Sequence, residues 1–394
     1  MSPPPAPRSA GSAPLRVLAL TSLYPSPARP DFAAFNRQQF AALARLCRLA
    51  LVAPLPFPIA LRRPAAPAGA EPFPVRRPIF WYLPGLTRAW HGRAFLRSAW
   101  PALRDSAAAL RPQVLLATWL FPDAWAGLMA ARRLDIPLVV KLHGSDLLRL
   151  RQDRDRLPYL RQVLAQARRV VAVSADLAAA AADLGAPEER LRVAPNGVDQ
   201  ELFRPGDRLA ARRGLGLPPE GPLLLYVGWL AQVKGPDLAI QALAQAPEAR
   251  LAMVGAGEMA GRLRGLAAAL GLADRVIWAG AQPHQNIARW LAACDALVLP
   301  SRSEGEPNVV LEALCAGRPV AAAAVGGVPA LIQDGVNGSL ARPEDPADLA
   351  RAMRAVLGRA WDAQALRAGV AGRSWPASAA ALERVLREAV EAGA

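Results

Sequence analysis

The stretch Pro300-Ser-Arg-Ser-Glu-Gly-Glu-Pro-Asn-Val-Val-Leu-Glu-Ala-Leu-Cys-Ala-Gly-Arg-Pro319 decides how this chain is read, because it sets Glu304 and Glu312 eight positions apart across a strand–loop–helix junction. Directly before it, Ala296-Leu-Val-Leu299 is a short continuous apolar run of the kind that forms a buried strand. Glu306 and Pro307 read as a cap followed by the proline favoured at the first helical position, which predicts a helix from about Pro307. Its opening amides, on Asn308, Val309 and Val310, are expected to point back at the loop with the positive end of the helix dipole behind them, an arrangement that suits a phosphate. Glu304 in the loop and Glu312 one turn into the helix would then flank a ligand carrying both an anionic group and hydroxyls. The plainer alternative is two solvated carboxylates. Against it, Glu312 stands within Val309-Val-Leu-Glu-Ala-Leu314, where an inward carboxylate needs a partner such as a pair of ribose hydroxyls.

Working outward, short apolar runs recur at Leu15–Leu20, Leu49–Ala53, Val114–Ala117, Leu138–Leu142, Val170–Val173 and Leu191–Ala194, most followed by alanine- and arginine-rich helical patterns. The second half repeats the alternation at Leu223–Val227, Leu251–Val254, Val276–Ala279, Ala296–Leu299 and Val320–Val325. Strand–helix alternation of this kind predicts an α/β fold of two Rossmann-like domains with parallel sheets, and 394 residues suffice for two cores. The expected organisation is a disordered tail over 1–14, a first domain over 15–198, a linker over 199–222 rich in Pro and Gly, a second domain over 223–372, and a C-terminal helix over 373–394 that packs back on the first domain.

The net charge of +15 is carried almost wholly by arginine, since Lys141 and Lys234 are the only lysines, and it favours an anionic partner: a nucleotide, a nucleic acid or an anionic lipid. Cys47, Cys294 and Cys315 are scattered and lack Cys-x-x-Cys spacing, which indicates neither a disulfide framework nor a zinc site and fits a reducing cytosol. Met1–Pro14 lacks the apolar core of a signal peptide. The longest apolar stretch, Pro319–Ile332, is interrupted by Gly326, Gly327 and Pro329 and falls short of the roughly 18 to 20 residues a spanning helix needs. A cytoplasmic chain is therefore expected, soluble or peripheral on the inner face of the membrane.

In parallel sheets ligands bind beyond the carboxyl ends of the strands, so the residues closing each run are read together. His143-Gly-Ser-Asp146 closes one strand, Gly228-Trp229 and Gly255-Ala-Gly257-Glu258 close two more, and Glu304 follows a fourth. Lys234-Gly-Pro236 opens a helical pattern, setting a cation beside a helix N-terminus where a phosphate could lie; the bland reading is a surface lysine. His143 is either a strand-end hydrogen bonder or a catalytic group oriented by Asp146. Gly255-x-Gly257 is half of a dinucleotide fingerprint and also what any tight strand-to-helix turn requires. Residues 76–104 interleave cations with aromatics: Arg76, Arg77, Trp81, Arg88 and Trp90 among them. That pattern suits an anionic membrane surface, a core helix with a basic face, or base stacking.

Taken in order and spacing, these motifs resemble the retaining glycosyltransferases of family 4, of GT-B architecture, with two Rossmann-like domains facing an interdomain cleft. The likeness runs through nearly the whole chain after the tail. Glu304 to Glu312 resembles the family's paired-glutamate motif, Gly228-x-Leu230-x-x-x-Lys234-Gly235 its phosphate loop, and Gly326-Gly-Val-Pro329 with Asp334-Gly-Val-Asn-Gly338 its continuation. Leu20–Pro25, His143–Asp146, Val173-Ser174 and Pro195–Asp199 are similar to members that build exopolysaccharides or lipid-linked glycans. The resemblance implies transfer of a hexose from a UDP- or GDP-linked sugar to a glycan or lipid-linked acceptor, with retained configuration, no metal and no cofactor. It implies a leaving diphosphate at Lys234, Gly228 and the Gly255 and Gly257 turn, the distal phosphate at Asn308–Val310, the ribose at Glu312, the transferred sugar at Glu304, and His143 near the reacting sugar. Arg76, Arg77, Trp81, Arg88 and Trp90 would face the acceptor or the membrane. The chain departs from the family's pattern at Trp229, where an arginine is usual, and in Phe32-Ala-Ala-Phe35, where a glycine is frequent. Two other classes compete: a nucleotide-sugar-binding or scaffold protein of weak activity, and a nucleic-acid binder. For the last, the arginines are too scattered and no recognised module is present, so no nucleic-acid partner is expected.

Overall fold

The structure is a computed structural model describing residues 13–61, 71–82, 90–148, 150, 153–246 and 248–392. Most of the 1–14 tail, and Arg88, lie outside the described residues.

The runs form strands, most of them buried on both faces as continuous Val, Leu and Ala sequences call for, with the sheet edges Val75–Arg76, Leu191–Val193 and Val276–Gly280 partly exposed. In the first sheet these are β1 (Arg16–Leu20), β2 (Arg48–Val52), β3 (Val75–Arg76), β4 (Val114–Thr118), β5 (Leu138–Leu142), β6 (Arg169–Ala172) and β7 (Leu191–Val193), in the order β3-β2-β1-β4-β5-β6-β7. The second sheet holds β8 (Leu223–Val227), β9 (Arg250–Val254), β10 (Val276–Gly280), β11 (Ala296–Leu299), β12 (Val320–Ala323) and β13 (Gly338–Ala341), in the order β10-β9-β8-β11-β12-β13. Every pairing within these two sheets is parallel. The chain is thus two Rossmann-like domains. Alternate residues of each strand feed separate cores: Leu18 and Leu20 pack with Phe95 and Leu103, while Val17 and Ala19 pack with Phe40 and Leu43. The edge strands β3 and β13, and a small separate pairing of Leu55–Pro56 with Ile79–Phe80, were not expected from the sequence, being short or carried by Ser, Gly and Pro.

Strand order reverses between β1 and β4 in the first sheet and between β8 and β11 in the second. At such a switch point the loops leaving adjacent strands diverge to opposite faces and open a crevice at their carboxyl ends. The loop after β8 leads to Lys234 and the loop after β11 leads to Glu304, so this topology brings residues 70 positions apart to the same crevice.

Two crossings join the domains side by side. Val198 donates to the carbonyl of Arg373 (2.7 Å) as the chain leaves the first domain and later returns. A Cβ on Gly197 would lie 2.4 Å from the Trp375 nitrogen, which explains a residue without one there. Ser374 then caps the Trp375–Glu391 helix, whose Trp375, Ala379, Leu382 and Leu386 enter the core formed by Phe40, Leu43 and Val17 of the first domain. Among the described residues, no helix is long and apolar enough to cross a membrane.

Candidate active site

The phosphate-like loop follows β8. Its last turn, Gln232–Lys234, ends on Gly235, whose left-handed φ of 61° and would-be Cβ 2.1 Å from the Pro300 carbonyl leave room for glycine alone. Pro236 then opens the Pro236–Leu243 helix at its first position. This packing against Pro300 draws Lys234 onto the β11 loop. Its Nζ donates to both Glu304 oxygens, at 2.8 and 2.9 Å, and Ser301 Oγ donates to the same carboxylate at 2.7 Å. The Glu304 side chain is 7% exposed and that of Lys234 36%, so the carboxylate is enclosed while its lysine partner stays partly open to solvent.

The helix after Glu304 runs Asn308–Cys315, with Pro307 in extended conformation as its cap position, one residue later than the sequence suggested. Two expectations need correction. Glu306 does not cap this helix; its carboxylate turns to the first domain, accepting from the Asn196 amide at 2.6 Å and pairing with Arg373. The Val310 amide is not open to an anion either, because it donates to the Pro307 carbonyl at 3.1 Å, the tight first-turn bond that short helices make. An anion site here would rest on Asn308 and Val309. Glu312 faces inward, its side chain 12% exposed, and its partner is a side chain no sequence reading singled out: His284 Nε2 lies 2.9 Å from Glu312 Oε1. Burial lowers the proton affinity of that imidazole, but Glu312, with help from Asp31 and Asp199, outweighs it and raises the His284 pKa.

Gly255 and Gly257 sit in the β9 turn, packed against the neighbouring loop. Cβ atoms there would fall 1.8 Å from the Gly228 carbonyl and 2.3 Å from that of Leu230. These glycines bring two loops into backbone contact along the crevice rim. Trp229, 55% exposed, donates through Nε1 to Glu258 Oε2 at 2.9 Å, so both residues lie at that rim.

Across the crevice, the first domain presents the turn after β5. The half-buried His143 packs its ring against Phe35 (5.0 Å between centroids), its enclosed Nε2 has no partner, and desolvation together with the Lys141 charge holds it well below the usual histidine range. It is therefore neutral at pH 7. Asp146 does not orient the imidazole. Its carboxylate instead binds the amides of His143, Gly144 and Leu120 at 2.9 to 3.1 Å and so shapes the turn itself. Burial raises Asp146 to about 6 and Asp123, which accepts from Ser22, to about 7. Gly144 meets Gly305 backbone to backbone: a Cβ on Gly305 would lie 2.4 Å from the His143 carbonyl. The two domains thus touch beside Glu304, and His143, Lys234, Glu304 and the Asn308 helix share one cleft. Beside the His284–Glu312 pair the cleft widens into a cavity of about 550 Å³ lined by Asp31, Arg37, Arg77 and Asp199. A cavity of about 900 Å³ near Arg132, Arg168 and Arg190 lies at the amino ends of the first sheet's strands, away from this chemistry.

The remaining expected residues lie outside the cleft's centre. Arg76 pairs with Asp105 (3.6 Å), and Arg77 reaches the Pro25 carbonyl (3.5 Å) and the Tyr24 ring. Trp81 and Trp90 are 58% and 59% exposed, with Phe57 stacked on the first and Arg93 over the second. The interleaved pattern is therefore divided, for Phe80 and Phe95 are buried in the core.

Comparison with known proteins agrees with this architecture. Residues 42–202 match the model described as Glycosyltransferase Family 4, and residues 207–373 the model described as Glycosyl transferases group 1. The two matches fall one on each Rossmann-like domain, the arrangement of a GT-B fold. Among curated proteins it is 39% identical over 226 residues to D-inositol 3-phosphate glycosyltransferase 1 of Catenulispora acidiphila, over 53% of this chain and 54% of that one. With D-inositol 3-phosphate glycosyltransferase of Acidothermus cellulolyticus it shares 40% over 200 residues, covering 48% and 45%. The chain spans about half the length of the curated relatives it matches. Among solved structures, sucrose-phosphate synthase from Thermosynechococcus elongatus superposes with a TM-score of 0.82 at 24% identity, covering 96% of this chain and 100% of that one. Anabaena Alr3699/HepE in complex with UDP gives 0.75 at 22%, covering 95% and 100%. At these identities the likeness is one of fold.

Proposed function

We propose that the protein is a retaining, metal-independent glycosyltransferase that moves a hexose from a UDP- or GDP-linked donor to a hydroxyl-bearing acceptor. The observation that carries this reading is the Lys234–Glu304 pair beside the N-terminus of the Asn308–Cys315 helix, facing the His143 turn across the cleft. In this reading the Lys234 ammonium and the Asn308 and Val309 amides stabilise the negative charge that grows on the diphosphate as the glycosidic bond breaks. Glu304 holds hydroxyls of the transferred sugar, and Glu312, steadied by His284, holds the ribose. Gly228, Gly255 and Gly257 let the loop backbones close around the pyrophosphate. The acceptor attacks the face the diphosphate leaves, so configuration is retained, and neutral His143 lines that face as a hydrogen-bonding group.

The acceptor is a glycan or lipid-linked hydroxyl, as the motifs suggest. A polyol phosphate is a second reading, supported by the D-inositol 3-phosphate glycosyltransferases among the relatives and by Arg37 and Arg77 in the cavity beside the cleft. The exposed Trp81 and Trp90 with Arg93 favour contact with an anionic membrane surface on the cytoplasmic side. The main test is incubation with a panel of nucleotide sugars, with and without each acceptor class, reading nucleoside diphosphate release and anomeric configuration by NMR. Binding without turnover would leave a nucleotide-sugar-binding protein, and neither binding nor turnover with any donor would sink the proposal. Flotation with phosphatidylserine liposomes tests the membrane contact; protein that stays at the bottom of the gradient removes it.

A further inference from the structure

In a chain whose positive charge is nearly all arginine, both lysines lie at the cleft. Lys234 faces it, while Lys141 is sealed beneath it, 1% exposed, at the fourth position of β5 and two residues before His143. A buried ammonium costs several kcal/mol of desolvation, which a structural position would avoid by carrying an apolar side chain. Lys141 Nζ donates to Gln39 Oε1 (2.7 Å) and to Asn196 Oδ1 (3.2 Å). With its carbonyl oxygen held there, Asn196 points its other groups into the second domain: its amide donates to Glu306 Oε2 (2.6 Å) and its Nδ2 to Asn308 Oδ1 (3.0 Å). Glu306, 8% exposed, is pinned on its other oxygen by Arg373. The chain of contacts therefore leads from β5 of the first domain, through the crossing at Asn196, to residues on both sides of Pro307. It holds the loop that begins at Glu304 and the helix that begins at Asn308.

We propose that Lys141, Asn196 and Glu306 form a latch between the domains that positions the Glu304–Asn308 loop for the donor diphosphate. The three are positioning residues, with no contact to substrate, and the latch rests on the glycosyltransferase reading only for the identity of its ligand. The charges around Lys141 agree with a held rather than incidental position. Burial pushes its amine down to about 8 while Glu306 pulls the other way, and burial raises Glu306 against the opposing pull of Arg373, the Asn196 amide and Lys141.

The test is calorimetric titration of the full chain with UDP and with GDP, comparing wild type, Lys141→Met, Glu306→Gln and the double variant, each with its melting temperature. Lys141→Met removes a buried charge but leaves the Gln39 and Asn196 oxygens without that donor, so its melting temperature is expected to fall, and affinity for the nucleotide falls about tenfold. Glu306→Gln, nearly isosteric, is expected to lose about as much, and the double variant no more than either alone, because both act through one latch. Affinities within twofold of wild type in both single variants, or losses that simply add, overturn the proposal. If wild type binds neither nucleotide, the glycosyltransferase reading fails by itself. The latch is then decided by the distance between spin labels at Arg104→Cys and Arg262→Cys, which broadens in Lys141→Met if the latch holds the domains and is unchanged if it does not.

Discussion

Replacing Lys234 by methionine separates the stabilising and the chemical roles of one side chain. In the resting cleft its ammonium bridges both oxygens of a Glu304 side chain that is 7% exposed, and without it that carboxylate keeps the Ser301 hydroxyl at 2.7 Å but no cation. Hydrogen bonds to charged groups contribute about 1.5–3 kcal/mol, and the partial exposure of Lys234 places this pair near the lower part, about 2 kcal/mol. For a domain of this size that corresponds to a melting temperature lowered by about 4–8 °C. The effect on turnover is expected to be larger. Removing one preorganised group aimed at developing charge costs about 10²–10³ in kcat, or about 3–4 kcal/mol. In the proposed reaction the second helix end, at Asn308 and Val309, remains to hold part of the diphosphate charge. Differential scanning calorimetry and nucleoside diphosphate release with the donor found active for wild type measure the two quantities on the same preparation. A variant melting several degrees lower yet turning over within about threefold of wild type would show that Lys234 serves only to neutralise Glu304, and would remove it from the chemistry.

His284→Gln tests the unexpected partner of Glu312. The raised pKa of His284 means its charged pairing contributes stability that is complete below the ordinary value of 6.5 and is lost as pH rises through the folded value. The melting-temperature gap between wild type and variant should therefore be widest near pH 5.5 and close toward pH 8.5, and a gap independent of pH would refute an ionic pairing. Gly305→Ala places a methyl group 2.4 Å from the His143 carbonyl, against backbone that cannot rotate away. It is expected to part the two loops, lowering kcat at least about tenfold with a small change in melting temperature; full activity would mean that the closed contact is not needed for turnover.

Strands β1, β4, β5, β8, β9 and β11 were legible because a strand covered on both faces is almost wholly apolar, Lys141 inside β5 being a buried exception, and that leaves a mark within five residues. Glu304, Lys234 and the helix at Asn308 were legible for a similar local reason, since caps, prolines and glycines act on their immediate neighbours. Arginine-dominated charge also made the two lysines stand out, although only the fold shows that Lys141 is sealed while Lys234 faces the cleft. What each carboxylate touches was another matter. Glu312 meets a histidine 28 residues away, and Glu306, read as a cap from its place before Pro307, meets an amide 110 residues away. By itself the sequence determined the α/β alternation, the two domains and where the helices after Lys234 and Glu304 begin, because those follow from periodicity and short-range backbone chemistry. The pairing of Lys234 with Glu304, the steadying of Glu312 by His284, and the seating of Lys141 beneath the cleft were decided only by tertiary structure, since strand order and the paired crossings set which distant side chains share a buried space where each must find a partner.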